Sequence, residues 1–250
     1  DLLLFKIAGA AAEAGLDLDA VMDLAGRANA RTVSFGLAFD GCTLPGQAAP
    51  LFSVPEGQVA LGLGIHGEPG IAAQAILPAA DLARMLLEPL LAERPQGHDG
   101  RVAVVLNGLG RTKYEELFVL WQHLTGLMTD AGLTVIDPEV GEFVTSLDME
   151  GCSLSILWLD DALADLWHAP ADAPAFRKGT VAAQGARQVA REGAAKRSTA
   201  ALGDVHRFHT AARCDPHHPF AGAVAGDVFA ADHRAANLRA GRERFAHGLA

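Results

Sequence analysis

The chain has 250 residues, half of them hydrophobic, and a formal net charge of −10 at pH 7. This length and hydrophobic content allow one large domain or two small ones with a sizeable core. No uninterrupted apolar run reaches the roughly 18 residues that a membrane-spanning helix needs, so we expect no membrane span. The start of the chain lacks the pattern of a signal peptide and resembles an entry into the middle of a longer protein.

The charge is unevenly distributed along the sequence. Residues 1–179 carry a formal charge of −14, whereas residues 180–250 carry +4. The acidic first part argues against a nucleic-acid partner, because phosphate backbones are bound by clusters of Lys and Arg. A change of sign of this kind also indicates a domain boundary.

The first 30 residues predict two helices. Residues 3–29 are rich in Ala and Leu, and Gly15 is a plausible end for the first helix. Asp17 or Asp19 is then expected to cap the second, because a carboxylate can accept hydrogen bonds from the free N–H groups of a first turn.

Two strands and a third helix are expected next. Residues 33–39 alternate large and small side chains, and residues 58–65, with the sequence QVALGLGI, do the same. The Gly- and Pro-rich stretch between them, which begins DGCTLPG, predicts a loop. A helix is expected from about Ala79, and Pro89 is expected to kink or end it.

The second half of the acidic region predicts further alternation of strand and helix. Residues 101–106 read as a buried strand, and a helix follows with a T-x-x-E capping box at Thr112 and Glu115 and an end at Gly132. A strand beginning LTVI comes next, and residues 152–159 predict another.

A short helix capped by Asp160 or Asp161 is expected to run to Trp167. This order predicts an α/β fold in which one mixed or largely parallel sheet is flanked by helices.

The pattern changes near Gly179. Leu, Ile, Val and Phe become too sparse in residues 180–250 for an ordinary core, and Ala and Arg increase. We therefore expect a domain at 1–179, followed by a poorly patterned C-terminal tail at 180–250 that acts as a linker and segment of uncertain order.

Cysteine and histidine patterns do not predict a metal site. The three cysteines are far apart, which fits a reducing cytoplasm better than a disulfide framework. The tail combines one of them with several histidines, but the spacing matches no standard zinc motif, and we interpret the histidines as incidental. The tail residues concerned are His209, Cys214, His217 and His218.

The stretch QVALGLGIHGEPG places a histidine among glycines. If residues 58–66 are extended, His66 lies on a face otherwise formed by Ala60, Gly62 and Gly64, and such a bare face admits either a closely packed neighbour or a ligand. The strand at 33–39 has a similar face of small side chains. A neutral imidazole is a nucleophile and a general base near pH 7, although a structural histidine in a loop is the other interpretation.

Three other motifs have alternative interpretations. NGLG, residues 107–110, lies between a strand and a helix, where backbone N–H groups can hold an anion, but a tight turn is the simpler interpretation. Asp148 is expected either to hydrogen-bond a loop or to line a cleft, with structural capping favoured. Glu68 is positioned to order the loop around His66, but nothing in the sequence fixes its direction.

Several strings together resemble the dihydroxyacetone kinase family. GLGIHGEPG is similar to the signature of its carbonyl-substrate-binding unit. The resemblance covers about residues 2–179 and corresponds to the second half of that unit, closest to the fusion-type kinases of dihydroxyacetone and erythrulose. The other matching strings, in the same order as in the family, are KIAGAAAEAG, GCTLPG, NGLG, TKYEEL, VTSLDMEGCSLSILWLDD and APADAPAFRKG.

The resemblance implies a specific chemistry for His66. In the family the matching histidine bonds covalently to the ketone carbon of the substrate as a hemiaminal, and the terminal hydroxyl is then phosphorylated by ATP. His66 is therefore expected to be the catalytic residue, with Gly64 and Gly67 beside it in the substrate site and no metal ligand in this part of the protein.

The resemblance also implies partners. The family's substrate site is completed by a preceding half-domain with a G-G-G-S-G-H-E-P stretch and an acid/base aspartate. ATP and Mg²⁺ are held by a separate, DhaL-type helical domain with a G-D-G-D-x-G motif. Neither motif occurs in this sequence, and AGDVFAADH in the tail does not match the second. We therefore expect a cytoplasmic homodimer in which this chain alone is inactive. The alternatives are a non-catalytic carbonyl-binding or regulatory relative, or a truncated or frameshifted gene product.

Overall fold

The computed structural model describes residues 1–64 and 70–179, which fold as a sheet covered by helices. The elements in chain order are α1 (Leu2–Glu13), α2 (Leu18–Ala30), β1 (Thr32–Ala38), β2 (Gln58–Leu61), β3 (Ala72–Ala75), α3 (Ala79–Ala92), β4 (Arg101–Gly108), α4 (Tyr114–Asp130), β5 (Thr134–Gly141), β6 (Gly151–Trp158), α5 (Asp161–His168), β7 (Ala171–Ala173) and β8 (Phe176–Lys178).

The main sheet is mixed, which confirms the expected fold class. Its strand order in the described residues is β3-β2-β1-β6-β4-β5. Only β4 and β5 pair in parallel, connected by α4, while the other neighbours are antiparallel, so the largely parallel alternative does not hold. β7 and β8 form a separate two-stranded ladder.

One face of the main sheet carries the larger hydrophobic core. Helices α3 and α4 pack on this face through leucines, and the strands contribute alternate apolar side chains. Trp158 at the end of β6 is fully buried in the same cluster. The most buried members from the sheet are Leu37, Val59, Val102, Val104, Leu106, Leu154 and Ile156.

The opposite face is covered at its two ends by different parts of the chain. Helices α1 and α5 cover one end, where Leu3 and Ile7 pack on Leu157 of β6. At the other end, Ala38 of β1 is buried with loop residues such as Cys42. The two covers are separate hydrophobic clusters.

The helix boundaries confirm some of the predicted caps and correct others. Asp17 and Asp160 each accept a hydrogen bond from the backbone N–H three residues later, at 2.9 and 3.0 Å. The box predicted at Thr112 is wrong by one residue, because Glu116 instead accepts from the backbone N–H of Lys113 at 2.8 Å. Thr112 lies outside α4 because its hydroxyl is bonded to the backbone of Gly151.

Pro89 lies inside α3 and does not end it. The helix runs on to Ala92, with Leu86 and Leu90 buried on either side of the proline in sequence. Packing of this apolar face stabilises a helix that has lost one internal hydrogen bond.

The strand predicted at 58–65 is shorter in the structure. It ends at Leu61 because Gly62 has a φ of +65°, a left-handed conformation that glycine adopts without strain. The alternation that put Gly64 and His66 on one strand face therefore stops before them. His66 itself lies outside the described residues, as do Gly67, Glu68 and the tail at 180–250.

Three short strands were not predicted. β3 consists of three alanines and a glutamine, and neither residue type is enriched in strands. β7 and β8 have three residues each, too few for a periodicity to be read. Within the described part of the chain, no helix has the length and apolar character needed to cross a membrane.

A buried lysine joins the first helix to the last. Lys6 on α1 is 6% exposed, and its ammonium group donates to the carbonyl of Leu166 near the end of α5 at 2.6 Å. Burial, followed by the nearby charge of Lys178, lowers the pKa of Lys6 to about 8. A cation at a helix C-terminus is favourable, but here it is partly offset by the cost of desolvating the ammonium group.

Substituting Lys6→Met is expected to change how stability depends on pH. Between pH 8 and 10.5 the unfolded chain holds the Lys6 proton more tightly than the folded chain, so the free energy of unfolding should rise with pH in this window. Chemical denaturation at several pH values should show that Lys6→Met removes this rise, on the order of 1–3 kcal/mol. The exposed Lys113→Met is the control, and an unchanged slope in Lys6→Met would contradict the assignment.

Candidate functional site

The middle of the second sheet face is open and lined by small polar side chains. Ser34 and Gly36 of β1 and Ser153 and Ser155 of β6 point to this face, between the two covers described above. We call these four residues the serine–glycine face. Ser34 is exposed and the other three are half-buried, although β1 and β6 are interior strands of the sheet.

The hydroxyl groups of this face are paired across the two strands. Ser34 and Ser155 are directly opposite in the ladder, and their hydroxyl oxygens are 2.7 Å apart. Each hydroxyl is a donor and also has acceptor lone pairs, so both retain hydrogen-bonding capacity beyond this mutual bond. The face therefore presents hydroxyl groups to solvent where an apolar core would otherwise be expected.

The chain after β2 crosses onto this face. The N–H of Gly62 still bonds to the carbonyl of Gly36 at 2.8 Å. A Cβ atom placed on Gly36 would lie 3.3 Å from the carbonyl oxygen of Leu63, so the backbone of Leu63 lies directly over Gly36. Gly64, which follows, is half-buried and is the last described residue before the segment 65–69.

Two glycines permit the backbone to leave the sheet after β2 and to rejoin it before β3. At Gly62 a Cβ would meet the side chains of Ile71 and Phe35 at 3.0 and 3.2 Å. At Gly70 a Cβ would meet the carbonyl oxygen of Leu61 at 2.8 Å. Close packing therefore accounts for the glycines at positions 36, 62 and 70.

Loops at the end of β1 and β4 form one border of the serine–glycine face. Asp148 accepts a hydrogen bond from the backbone N–H of Thr43 at 2.6 Å, and this bond lowers the pKa of its carboxyl group. Asp148 therefore connects two loops, as the favoured interpretation expected. Arg111 lies 3.5 Å from Asp40 and 3.6 Å from Glu150, which adds weak, solvent-exposed ion pairs at the same border.

The NGLG stretch is structural in these loops. Asn107 accepts at 2.7 Å from the backbone N–H of Phe143, and its amide donates to Val144. Gly110 has a φ of +131°, and a Cβ there would collide with the carbonyl of Leu147. The N–H of Leu109 is also bonded, to Gly151. These bonds favour the tight-turn interpretation of residues 107–110 over the anion site.

Two other histidines and two cysteines are not part of the serine–glycine face. His123 is on α4, and His98 lies in the loop before β4, where its ring packs against Trp158 in a tilted arrangement with centroids 4.7 Å apart. Cys42 and Cys152 are buried, and burial raises the pKa of the Cys152 thiol to about 12. Among residues 1–64 and 70–179, no cluster of His, Cys, Asp and Glu is placed to hold a metal ion.

Sequence reasoning found half of the serine–glycine face. The small residues of β1 were noted because they alternate with large ones. Ser153 and Ser155 were not singled out, although the same alternation is visible in CSLSILWL. What the sequence lacked was the pairing of β1 with β6, which places the two halves side by side.

The fold and the sequence strings named above agree with one family. Residues 1–175 match the family model described as the Dak1 domain, and the chain therefore belongs to the dihydroxyacetone kinase family as a DhaK-type domain.

Two curated relatives are named as kinases or kinase subunits. The chain is 58% identical over 179 residues to a D-erythrulose kinase of Mycolicibacterium smegmatis, which covers 72% of this chain and 31% of the relative. It is 38% identical over 177 residues to a dihydroxyacetone-binding subunit DhaK of a PTS-dependent dihydroxyacetone kinase from Listeria innocua, covering 71% and 54%. The chain thus spans about a third to a half of the length of these relatives.

Two solved structures have the same fold. A dihydroxyacetone kinase from C. freundii, in complex with AMP-PNP and Mg²⁺, superposes with a TM-score of 0.60 at 29% identity, covering 75% of this chain and 36% of that one. The dihydroxyacetone kinase operon co-activator DhaQ superposes with a TM-score of 0.63 at 31% identity, covering 68% and 53%. The fold is therefore found in a kinase and in a co-activator.

Substituting Gly36→Val is expected to displace the chain where it crosses the sheet. The carbonyl of Leu63 lies too close to accept two methyl groups, so the backbone at 62–64 should move and the protein should lose roughly 1–3 kcal/mol of stability. Hydrogen exchange should become faster at the amides of Gly62 and Ile71, which bond to β1 and β2.

Gly126→Ala is the control, since a Cβ there meets nothing within 4 Å. Alanine in the middle of α4 should leave these amides protected and should slightly raise stability through its higher helix propensity. Unchanged exchange in Gly36→Val would mean that position 36 does not hold the crossing in place.

Proposed function

We propose that residues 1–179 form the second half of the substrate-binding domain of a short-ketose kinase, and that residues 180–250 form a separate linker and tail. The observation that carries this proposal is the crossing of Leu63 and Gly64 onto an open, hydroxyl-lined face immediately before the segment that contains His66. The family match and the names of the kinase relatives support it.

We propose that His66 holds the ketone by a reversible covalent bond. The unprotonated ring nitrogen attacks the ketone carbon, and a carbon–nitrogen bond forms while the C=O π pair moves to oxygen. The oxygen takes up a proton and the other ring nitrogen gives one up, so the product is a neutral hemiaminal. Only a carbonyl compound can form it, which excludes glycerol and other polyols.

The advantage of this bond is orientation. Dihydroxyacetone and erythrulose are small and flexible, so non-covalent contacts alone hold them in many poses. A covalent tether at one carbon restricts the remaining hydroxyl groups and presents the terminal one for transfer. Gly64 and Gly67, which flank His66 closely in sequence, leave room for the substrate backbone because they carry no side chain.

The rest of the kinase is proposed to come from other domains. The preceding half-domain would complete the ketose site, and a DhaL-type domain would bind ATP and Mg²⁺, in keeping with the AMP-PNP and Mg²⁺ bound by the C. freundii enzyme. We propose a cytoplasmic homodimer of the assembled protein. The phosphoryl donor and its metal are therefore outside the chain described here, and the isolated chain should be inactive.

A regulatory role is the second candidate function. It is favoured by the similarity to the co-activator DhaQ, whose fold matches as well as that of the kinase. A protein of this kind would retain ketose binding but would transfer no phosphoryl group. The two functions share the first prediction below and differ in the second.

Combined with the preceding half-domain of a close relative, the protein should form an adduct with dihydroxyacetone. Carbon NMR with substrate labelled at the ketone carbon should show a tetrahedral carbon signal in place of the carbonyl signal. His66→Ala should abolish the adduct signal, because the attacking nitrogen is removed. Glycerol should bind poorly to both proteins.

His123→Ala and His98→Ala are the matched controls. His123 lies on α4, which covers the core face of the sheet, and His98 packs against Trp158 of the same core. Both are therefore away from the serine–glycine face, and the adduct should persist in each variant. An adduct that survives His66→Ala would contradict the covalent role of His66. Close packing of the backbone would then be the better explanation for the glycines near His66 in the sequence.

Kinase activity should appear only in the fully assembled protein. The chain alone, mixed with erythrulose or dihydroxyacetone and ATP, should release no ketose phosphate in a coupled assay. Adding both the preceding half-domain and the DhaL-type domain should give turnover, because they supply the rest of the ketose site and the ATP site. Adduct formation without turnover in the complete mixture would favour the regulatory function instead.

A further inference from the structure

The β7–β8 hairpin, residues 171–178, follows the last helix and stands apart from the main sheet. Its two strands have three residues each and pair with each other, and within the described residues neither of them pairs with the main sheet. An isolated two-stranded hairpin is only marginally stable in water. Contacts between its side chains and the rest of the domain must therefore hold it in place.

Lys178 joins this hairpin to the domain. Its side chain is only 9% exposed, and its ammonium nitrogen lies 4.1 Å from the centre of the Trp167 ring on α5. The same nitrogen is 3.1 Å from the carboxylate of Glu139 and 3.5 Å from that of Asp137, both on β5. Lys178 thus connects β8 to a helix and to an outer strand of the main sheet through a cation–π contact and two ion pairs.

The surface that receives Lys178 is built by the domain itself. The indole N–H of Trp167 donates to the carbonyls of Ile136 and Asp137, at 3.1 Å each, which fixes the ring against β5. The Nδ1 atom of His168 lies 2.6 Å from the carboxylate of Asp137. The ring and the carboxylate are therefore positioned by contacts that do not involve the hairpin.

The remaining contacts of the hairpin are few. Phe176 meets the ring of Phe143 edge-on, with centroids 6.0 Å apart. Arg177, between Phe176 and Lys178, is exposed and pairs with Asp172 inside the hairpin at 2.9 Å. Alternate residues of β8 thus face the domain, as expected for a strand. A segment attached by so few side chains can open locally without unfolding of the core.

A second ammonium group opposes this attachment. Lys6 on α1 is buried and donates to the carbonyl of Leu166 near the end of α5. After burial, the charge of Lys178 is the second cause of the lowered pKa of Lys6. The charged and titratable side chains around the two lysines are Asp137 and Glu139 from β5 and His168 from α5.

The charges of Lys6 and Lys178 are therefore linked to the position of the hairpin. When the hairpin docks, the charge of Lys178 approaches Lys6 and makes the Lys6 proton easier to lose. By reciprocity, loss of that proton removes a repulsion and makes docking more favourable. Since the pKa of Lys6 in the docked state is about 8, docking should strengthen as the pH rises through this value.

We propose that the β7–β8 hairpin docks reversibly on α5 and β5 through Lys178, and that the charge on Lys6 weakens this docking. The docked hairpin extends the folded domain to Lys178, whereas its release ends the domain near His168. This docking lies outside the serine–glycine face and does not depend on the role of His66.

Hydrogen exchange in the full 250-residue chain tests the docking. Exchange of the β7 and β8 amides, corrected at each pH for the rates of unstructured peptides, measures how often the hairpin opens. Lys178→Met should speed this exchange by about tenfold or more, because the cation–π contact and the ion pairs are lost. Lys6→Met and Lys6→Gln both remove the opposing charge and should each slow it several-fold.

The pH dependence separates a charge effect from a packing effect. In wild type the corrected exchange of the hairpin should slow between about pH 7 and about pH 9, and this change should be absent from both Lys6 variants. The exposed Lys113→Met is the charge-matched control and should behave like wild type. The amides of β4 should stay protected in every variant, which distinguishes release of the hairpin from unfolding of the domain.

Carbon NMR titration of the lysine side chains gives the reciprocal measurement. The pKa of Lys6 should rise above about 8 in Lys178→Met, because a neighbouring cation has been removed. Hairpin amides that are unprotected in wild type, or exchange that Lys178→Met leaves unchanged, would overturn the docking contact. An unchanged Lys6 pKa in Lys178→Met, or hairpin exchange that neither Lys6 variant slows, would overturn the opposing role of Lys6.

Discussion

The backbone of Leu63 crosses the sheet in close contact with position 36, which has no side chain. A methyl group at Gly36 would stand 3.3 Å from the Leu63 carbonyl, which is closer than most side-chain carbons approach a carbonyl oxygen. The left-handed turn at Gly62 and the close return at Gly70 depend on the same freedom from side chains. These three positions allow the chain to leave the sheet at residues 62–64 and to rejoin it at Gly70. The location of the proposed ketose site follows from this path.

Sequence patterns were sufficient where a segment is long and its contacts are local. The helices capped by Asp17 and Asp160 and the buried strand β4 belong to this class, because caps and periodicity are written within a few consecutive residues. The order of elements predicted a sheet flanked by helices but left open whether the sheet was mixed or largely parallel. The end of β2 did not, since the alternation in QVALGLGI continues past Gly62 while the backbone turns there. Glycine permits a turn but does not require one. Whether the chain turns at Gly62 is shown only by the structure, in which Leu63 lies over Gly36.

The serine–glycine face illustrates a second limit of the sequence. Ser34 and Ser155 are 121 positions apart, and nothing near either residue indicates that their hydroxyl groups meet at 2.7 Å. β3 is a third case, because its alanines have weak strand propensity and are held extended by pairing with β2. Both features arise from non-local pairing. The sequence alone made His66 a candidate, whereas the serine–glycine face depends on pairing between strands that are far apart in sequence.

The two faces of the sheet differ in composition, and the proposed ketose site lies on the face without the larger core. Helices α3 and α4 bury the large apolar side chains on one face, and Trp158 is fully enclosed there. Since hydrophobic stabilisation grows with the apolar area removed from water, this larger cluster contributes strongly to stability. The second face is then free to expose serines and glycines at interior strands, a composition that would be too weak to hold a sheet by itself. A site on such a face can accept a small polar ligand without removing any part of the main core, and the carbonyl of Leu63 lies over this face at Gly36.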